Sequence, residues 1–255
     1  MEAGLNLYSI RCYLDTEEHF LGAALQLKEM GYRYLQYSGG EMDFDRIARV
    51  SRASSLPIVL THAPLDRILQ DTDRLMEEHE RIGCRRIGLG AMPMEVLREE
   101  ERCKGMIAEL ERAAEHMSRN GFTFFYHHHH MELYRYGGQT ILSYLIEQAP
   151  HVQLTLDTYW LQYGGVDIAS TVQRLTGRIE CVHLKDYRVA LREDGSGFEP
   201  RFAPVGDGNI DFAAILPLMR RAGTKYFLVE QDNAANLPDP MGQVERSIRY
   251  ITQYL

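Results

Sequence analysis

Four histidines stand in a row, His127 to His130, inside the apolar and aromatic stretch FFYHHHHMEL. Further along, LDTYW carries Asp157, VHLKDY carries His183 and Lys185, and LVEQD carries Glu230 and Asp232. Imidazoles together with carboxylates are a donor set for Mn²⁺, Co²⁺, Mg²⁺ or Zn²⁺, and not for a thiophilic metal. An affinity tag is a poor account of the histidine run, because tags sit at termini and this run continues a strand pattern. The chemistry depends on whether a fold brings these separate segments to one place.

Short β-rich runs alternate with amphipathic helical stretches along the chain. Residues 5–10, 32–38, 56–62, 85–90, 122–129, 152–157, 179–185 and 225–231 read as strands. Residues 16–31, 43–54, 66–82, 94–119, 139–148, 167–175, 211–221 and 241–254 read as helices. Strands separated by helical crossovers pair in parallel. Eight such units predict an α/β fold, a (β/α)8 TIM barrel, as one domain over residues 1–255. A doubly wound open sheet usually carries a glycine-rich turn after its first strand; here LYSIRCYLD follows instead. Residues 186–209, with EDGSG and PVGDGN, show no periodicity and read as a long structureless loop, of the kind that is functional or disordered.

Composition narrows the partners. The 255 residues carry a formal charge of -8, which argues against coating nucleic acid. No apolar run approaches the roughly 20 residues that span a bilayer, and MEAGLNLYSI lacks a signal-peptide pattern. The scattered cysteines (Cys12, Cys84, Cys103, Cys181) contain no CxxC and read as reduced thiols. The expectation is a cytoplasmic protein acting on a small molecule, without nucleic-acid or membrane partners; a homo-oligomer stays open.

In such a barrel the active site lies at the C-terminal strand ends. Asn6 and Tyr8, Gln36, His62, the histidine run, Asp157, His183 with Lys185, and Glu230 with Asp232 fall there. Period-two alternation puts His183 and Lys185 on one face, and His127 with His129 opposite His128 with His130. At most two of the four histidines serve one site, the odd-numbered pair facing the mouth and the even-numbered pair the wall. Taken singly, each residue has an ordinary reading: His62 as a satisfied structural histidine, Asp157 as a helix cap, Glu230 as an ion-pair partner. Their joint appearance on four successive strands does not.

These motifs resemble the sugar phosphate isomerase/epimerase family, the xylose-isomerase-like barrels, over nearly the whole chain. YHHHHMEL is similar to that family's Tyr-His-Asn-His-x-x-Glu segment; LDTYW, VHLKDY, PVGDGNIDF and LVEQD resemble its later motifs. The resemblance implies one divalent cation at the mouth, held by Asp157, His183 and Glu230. Commoner members supply a fourth ligand from a strand-five glutamate, which this chain lacks. The matching position is His127, or Tyr126 if the register shifts by one. His128 replaces the usual asparagine and, facing the wall, is expected to act structurally. Arg188 falls where an arginine of the family contacts sugar hydroxyls.

The implied chemistry is isomerisation or epimerisation: a metal-polarised carbonyl, a base removing the adjacent proton, and a stabilised enediolate. Glu230 is one proton-transfer group; its partner would be His129, Glu132 or His127, with Lys185 as a further donor. His62, Gln36, Arg188 and Trp160 are candidates for holding substrate, with Tyr8, Tyr126 and Tyr159 as further aromatic surface. Two carboxylates and two histidines leave the site with less negative charge than three carboxylates and one histidine. That balance also suits a dehydratase or lyase acting on a keto-sugar or inosose. An apurinic endonuclease-like nuclease or a non-catalytic sugar-binding barrel are further alternatives. With no glycine-rich phosphate cradle visible, free or oxidised sugars are expected over phosphorylated ones.

Overall fold

The computed structural model describes residues 2–254. Eight strands close a parallel barrel: β1 (Ala3–Asn6), β2 (Tyr34–Tyr37), β3 (Ile58–His62), β4 (Arg86–Leu89), β5 (Thr123–His127), β6 (Gln153–Asp157), β7 (Cys181–Leu184) and β8 (Tyr226–Val229). They pair in chain order, and β8 returns beside β1, placing Leu228 opposite Gly4. The (β/α)8 expectation is met.

Two apolar sets hold the barrel. One joins the outward residues, such as Leu35, Phe124, Val182 and Phe227, to the surrounding helices. The other fills the interior with Tyr34, Leu60, Phe125, Cys181 and Leu228. Fully burying a side chain such as Phe125 stabilises by about 1.5–3 kcal/mol. Two residues beyond each of these interior positions, on the same face, stand Gln36, His62, His127, His183 and Glu230. The polar floor of the mouth is thus the layer stacked directly on the apolar plug.

Helix starts follow local chemistry. Thr16, Asp43, Asp167, Asp211 and Asp239 each cap a helix by accepting a backbone N–H. Gly31, at φ 111°, ends the first helix.

Four expectations change in detail. The first strand stops at Asn6, because its side-chain oxygen accepts from the Tyr8 N–H and turns the chain into the 3-10 helix Leu7–Tyr13. The helix expected over 66–82 is two, Leu65–Gln70 and Thr72–Arg81, broken at Asp71 with φ -137°. The helix expected over 94–119 is likewise two, Met94–Leu97 and Glu100–Arg119, broken where Glu99 is extended. Half of 186–209 is strand rather than structureless: Asp186–Leu191 pairs antiparallel with Phe198–Ala203 as a ribbon.

The PVGDGN segment returns to the base of that ribbon. The Asp186 carboxylate accepts from the backbone N–H groups of Tyr187, Gly206, Gly208 and Ile210 at 2.8–3.2 Å. A Cβ on Gly208 would lie 2.2 Å from Asp186 Oδ1, so the close approach needs glycine there.

Candidate metal centre

Neighbouring strands lie about 4.8 Å apart, and the register aligns their ends. Asp157 is opposite His183, which is opposite Leu228, and Glu230 follows two residues on. One donor atom each from His127, Asp157, His183 and Glu230 falls within 4.8 Å of every other, and all four residues are buried.

The partners of each side chain decide which atom faces the cluster. His127 Nδ1 lies 3.0 Å from the Gly90 carbonyl, which only an N–H can satisfy, so Nε2 presents a bare lone pair. His183 Nε2 lies 2.7 Å from Gln36 Oε1 and donates to it, leaving Nδ1 bare. The two bare nitrogens stand 3.1 Å apart. Asp157 Oδ1 accepts from the Trp160 N–H, capping the helix Thr158–Tyr163, so Oδ2 is left to the cluster, 3.2 Å from His127 Nε2. Asn6 donates from Nδ2 to Glu230 Oε1 at 2.7 Å, leaving Oε2 at 2.9 Å from His183 Nδ1.

Four electron-rich atoms are therefore aimed at one another, which only a cationic partner offsets. Donors on a divalent cation, at about 2.0–2.2 Å from it, lie about 3.0–3.6 Å apart. Four of the six separations between the cluster's atoms run from 2.9 to 3.8 Å, and all six are within 4.8 Å. The donor set and its spacing fit such an ion.

Lys185 is the cation the chain itself supplies. Its Nζ lies 3.0 Å from Asp157, 2.8 Å from Glu230 and 3.0 Å from Asp232. Burial alone would favour the neutral amine, but the three carboxylates hold the pKa above its ordinary value. Burial would raise Glu230, yet the Lys185 ammonium holds it well below the usual carboxylate range. Burial pushes down His127, brings His62 to about 3, and brings His129 to about 4, so these rings are neutral.

Of the further candidate residues, the structure brings His62, Gln36, His129, Lys185 and Trp160 to the mouth. Gln36 donates to His62 Nε2, which stands between it and Ser38. His129 lines the cleft with Nδ1 buried and unpaired, and Trp160 lies under the Lys185 ammonium at 5.3 Å.

Others go elsewhere. Glu132 is wholly buried, with one oxygen on the Tyr126 hydroxyl at 2.5 Å and the other on the His129 N–H. That places it behind the strand. Tyr126 faces the helices rather than the mouth, by the same alternation that turns His127 inward. Arg188 is exposed on the ribbon and does not line the cleft. His128 faces the wall, but His130 does not: β5 has ended by then, and the ring is exposed and stacked on Trp160 at 5.0 Å.

Two contributors were noticed at strand ends but given no role: Asn6, which orients Glu230, and Asp232, the third carboxylate on Lys185. Asp232 could have been found by alternation, two residues beyond Glu230.

Residues 25–254 match the family model described as a xylose isomerase-like TIM barrel. An inosose dehydratase from Geobacillus thermodenitrificans is 29% identical over 165 residues, 60% of this chain and 55% of that protein. The match thus spans about half the length of that relative. A sugar phosphate isomerase/epimerase from Parabacteroides distasonis superposes with a TM-score of 0.77 at 22% identity, over 99% of this chain and 98% of the other. An L-ribulose 3-epimerase does so with a TM-score of 0.74 at 17% identity, over 100% and 95%. At those identities the structural likeness speaks for the fold.

Proposed function

The chain belongs to the xylose isomerase-like TIM barrel family, and from that premise we propose that it is a divalent-cation-dependent isomerase or epimerase of a small keto-sugar. The observation that carries this reading is the convergence of His127, Asp157, His183 and Glu230, with each outward-facing atom already engaged elsewhere. A cation held there would polarise a substrate carbonyl and offset the charge that develops when the adjacent C–H loses its proton. Glu230 is ionised and can take that proton; Lys185 beside it can return one on the same face, which serves isomerisation, while epimerisation would need a donor on the opposite face. His129 lines the cleft and, as a neutral ring, is placed to hydrogen-bond a substrate oxygen. His62 lines the cleft where the sugar would sit, held from beneath by Gln36, and Trp160 backs the Lys185 ammonium. Among the described residues no arginine lines the cleft, and the one lysine there already faces three carboxylates, so we assign the site to sugars without phosphate.

A second reading, dehydration of a keto-sugar or inosose, shares the first step. Two observations favour it. The Lys185 ammonium can protonate a departing hydroxyl, and the Geobacillus relative is an inosose dehydratase. A cytoplasmic setting fits the four free cysteines. Among the described residues no helix is long and apolar enough to cross a membrane.

The test is proton NMR of candidate keto-sugars in D₂O with protein loaded with Mg²⁺, or with Co²⁺ or Mn²⁺ followed by chelation. Deuterium entering the carbon next to the carbonyl supports the reading. An isomeric product identifies isomerisation, and a product lacking one water identifies dehydration. Exchange no faster than without protein, for every ketose and metal tried, overturns both.

A further inference from the structure

The second histidine of the run has a task of its own. β5 leaves the barrel ladder after His127, which pairs with Thr155, two residues before β6 ends at Asp157. Leu154 donates its N–H toward the β7 side, to the Arg178 carbonyl. By alternation the Asp157 N–H therefore points toward β5, where the backbone no longer offers a rung. His128 fills the gap: its Nε2 accepts the Asp157 N–H at 3.1 Å, while Nδ1 lies 3.2 Å from the His129 carbonyl and donates to it. Both residues are fully buried, so an unpaired Asp157 N–H would have no water to turn to. With the Trp160 N–H on Oδ1, Asp157 is held from its backbone and from one carboxylate oxygen, and Oδ2 has a single direction left.

We infer that His128 is a positioning residue for the cation site: its imidazole replaces the missing ladder rung and fixes Asp157, and so Oδ2, toward the cluster. This rests on the metal-centre reading above and says nothing of which reaction follows. The ring also reaches further than a shorter side chain could. An asparagine amide stops near the position of Nδ1, whereas a glutamine amide reaches that of Nε2.

Mn²⁺ affinity of purified His128→Leu, His128→Asn and His128→Gln, measured by titration calorimetry, tests this. Loss of a supporting partner typically weakens a metal site about 10–100-fold. That loss is expected for Leu and Asn, with recovery toward wild type for Gln. Folding is checked by circular dichroism, since a merely structural role would lower thermal stability without moving the affinity of folded protein. Leu within twofold of wild type, or Gln no better than Leu, overturns the inference. A measurement needing no variant stands beside it: a through-hydrogen-bond ¹⁵N–¹⁵N coupling between the Asp157 amide and His128 Nε2 in wild-type protein. Its presence supports the rung and its absence refutes it, even if wild type proves to bind no Mn²⁺, which would instead overturn the metal-centre reading.

Discussion

His127 Nε2 and His183 Nδ1 face each other across 3.1 Å, and each ring's other nitrogen is engaged outside the cluster, on Gly90 and on Gln36. Two lone pairs so placed repel unless a cation lies between or beside them. The strand register imposes this arrangement on the rings, and it sets the expectations below.

His127→Ala removes one of the four donors. Its loss is expected to exceed the roughly 10–100-fold cost of losing an outer partner, and turnover should fall with metal content. Elemental analysis after dialysis against micromolar Mn²⁺, beside the NMR exchange assay, checks it; unchanged metal and turnover would remove His127 from the site.

Gln36 bridges His183 and His62 through opposite ends of one amide. Gln36→Leu keeps the bulk but frees the His183 ring to rotate and to change tautomer. A loss of about 10–100-fold in metal affinity is expected, read by competition with a chelator dye. Gln36→Glu, which keeps an oxygen for the His183 N–H, should lose less.

The Tyr126–Glu132 pair is a support behind the site. Tyr126→Phe deletes a hydrogen bond to a buried carboxylate, an interaction contributing about 1.5–3 kcal/mol. Urea unfolding should show that loss while metal content stays at the wild-type level. A drop in metal content with unchanged stability would instead tie Tyr126 to the ion.

His79 carries a pH signature remote from the mouth. It is buried between Thr61 Oγ1 and the Leu75 carbonyl, each at 2.7 Å, and burial brings its pKa to about 4. The unfolded value is about 6.5. Above that pH neither state takes the proton, and His79 adds no pH dependence. Between about 6.5 and 4 only the unfolded chain takes it, so stability falls as pH falls, by up to about 1.4 kcal/mol per unit. Denaturation midpoints of wild type and His79→Gln between pH 7 and 4 should diverge in slope by that amount; parallel curves would contradict it.

Much of the site was legible because a barrel strand has a strict period of two. That period placed His183 with Lys185, turned His128 away from His127, and put the polar residues one layer above Phe125, Cys181 and Leu228. It failed at His130, since the period ends with the strand. The tertiary partners were illegible: nothing local to Gln36 says that its amide spans two histidines from β3 and β7, nor to Glu132 that Tyr126 and the His129 N–H hold it from behind. The ribbon did leave a trace, in Tyr187, Val189 and Leu191 alternating with Arg188 and Ala190. Pro200 and the charged tip masked it, because proline and clustered charge ordinarily argue against strand.

The seam between β1 and β8 has a consequence in time. Asn6 and the Glu230 it orients are 224 residues apart in the chain. A growing polypeptide that has not passed Val229 holds three of the four donors, and its first strand has no eighth neighbour. A cation site that needs all four donors would therefore be completed only once Glu230 has been made and the ring has shut.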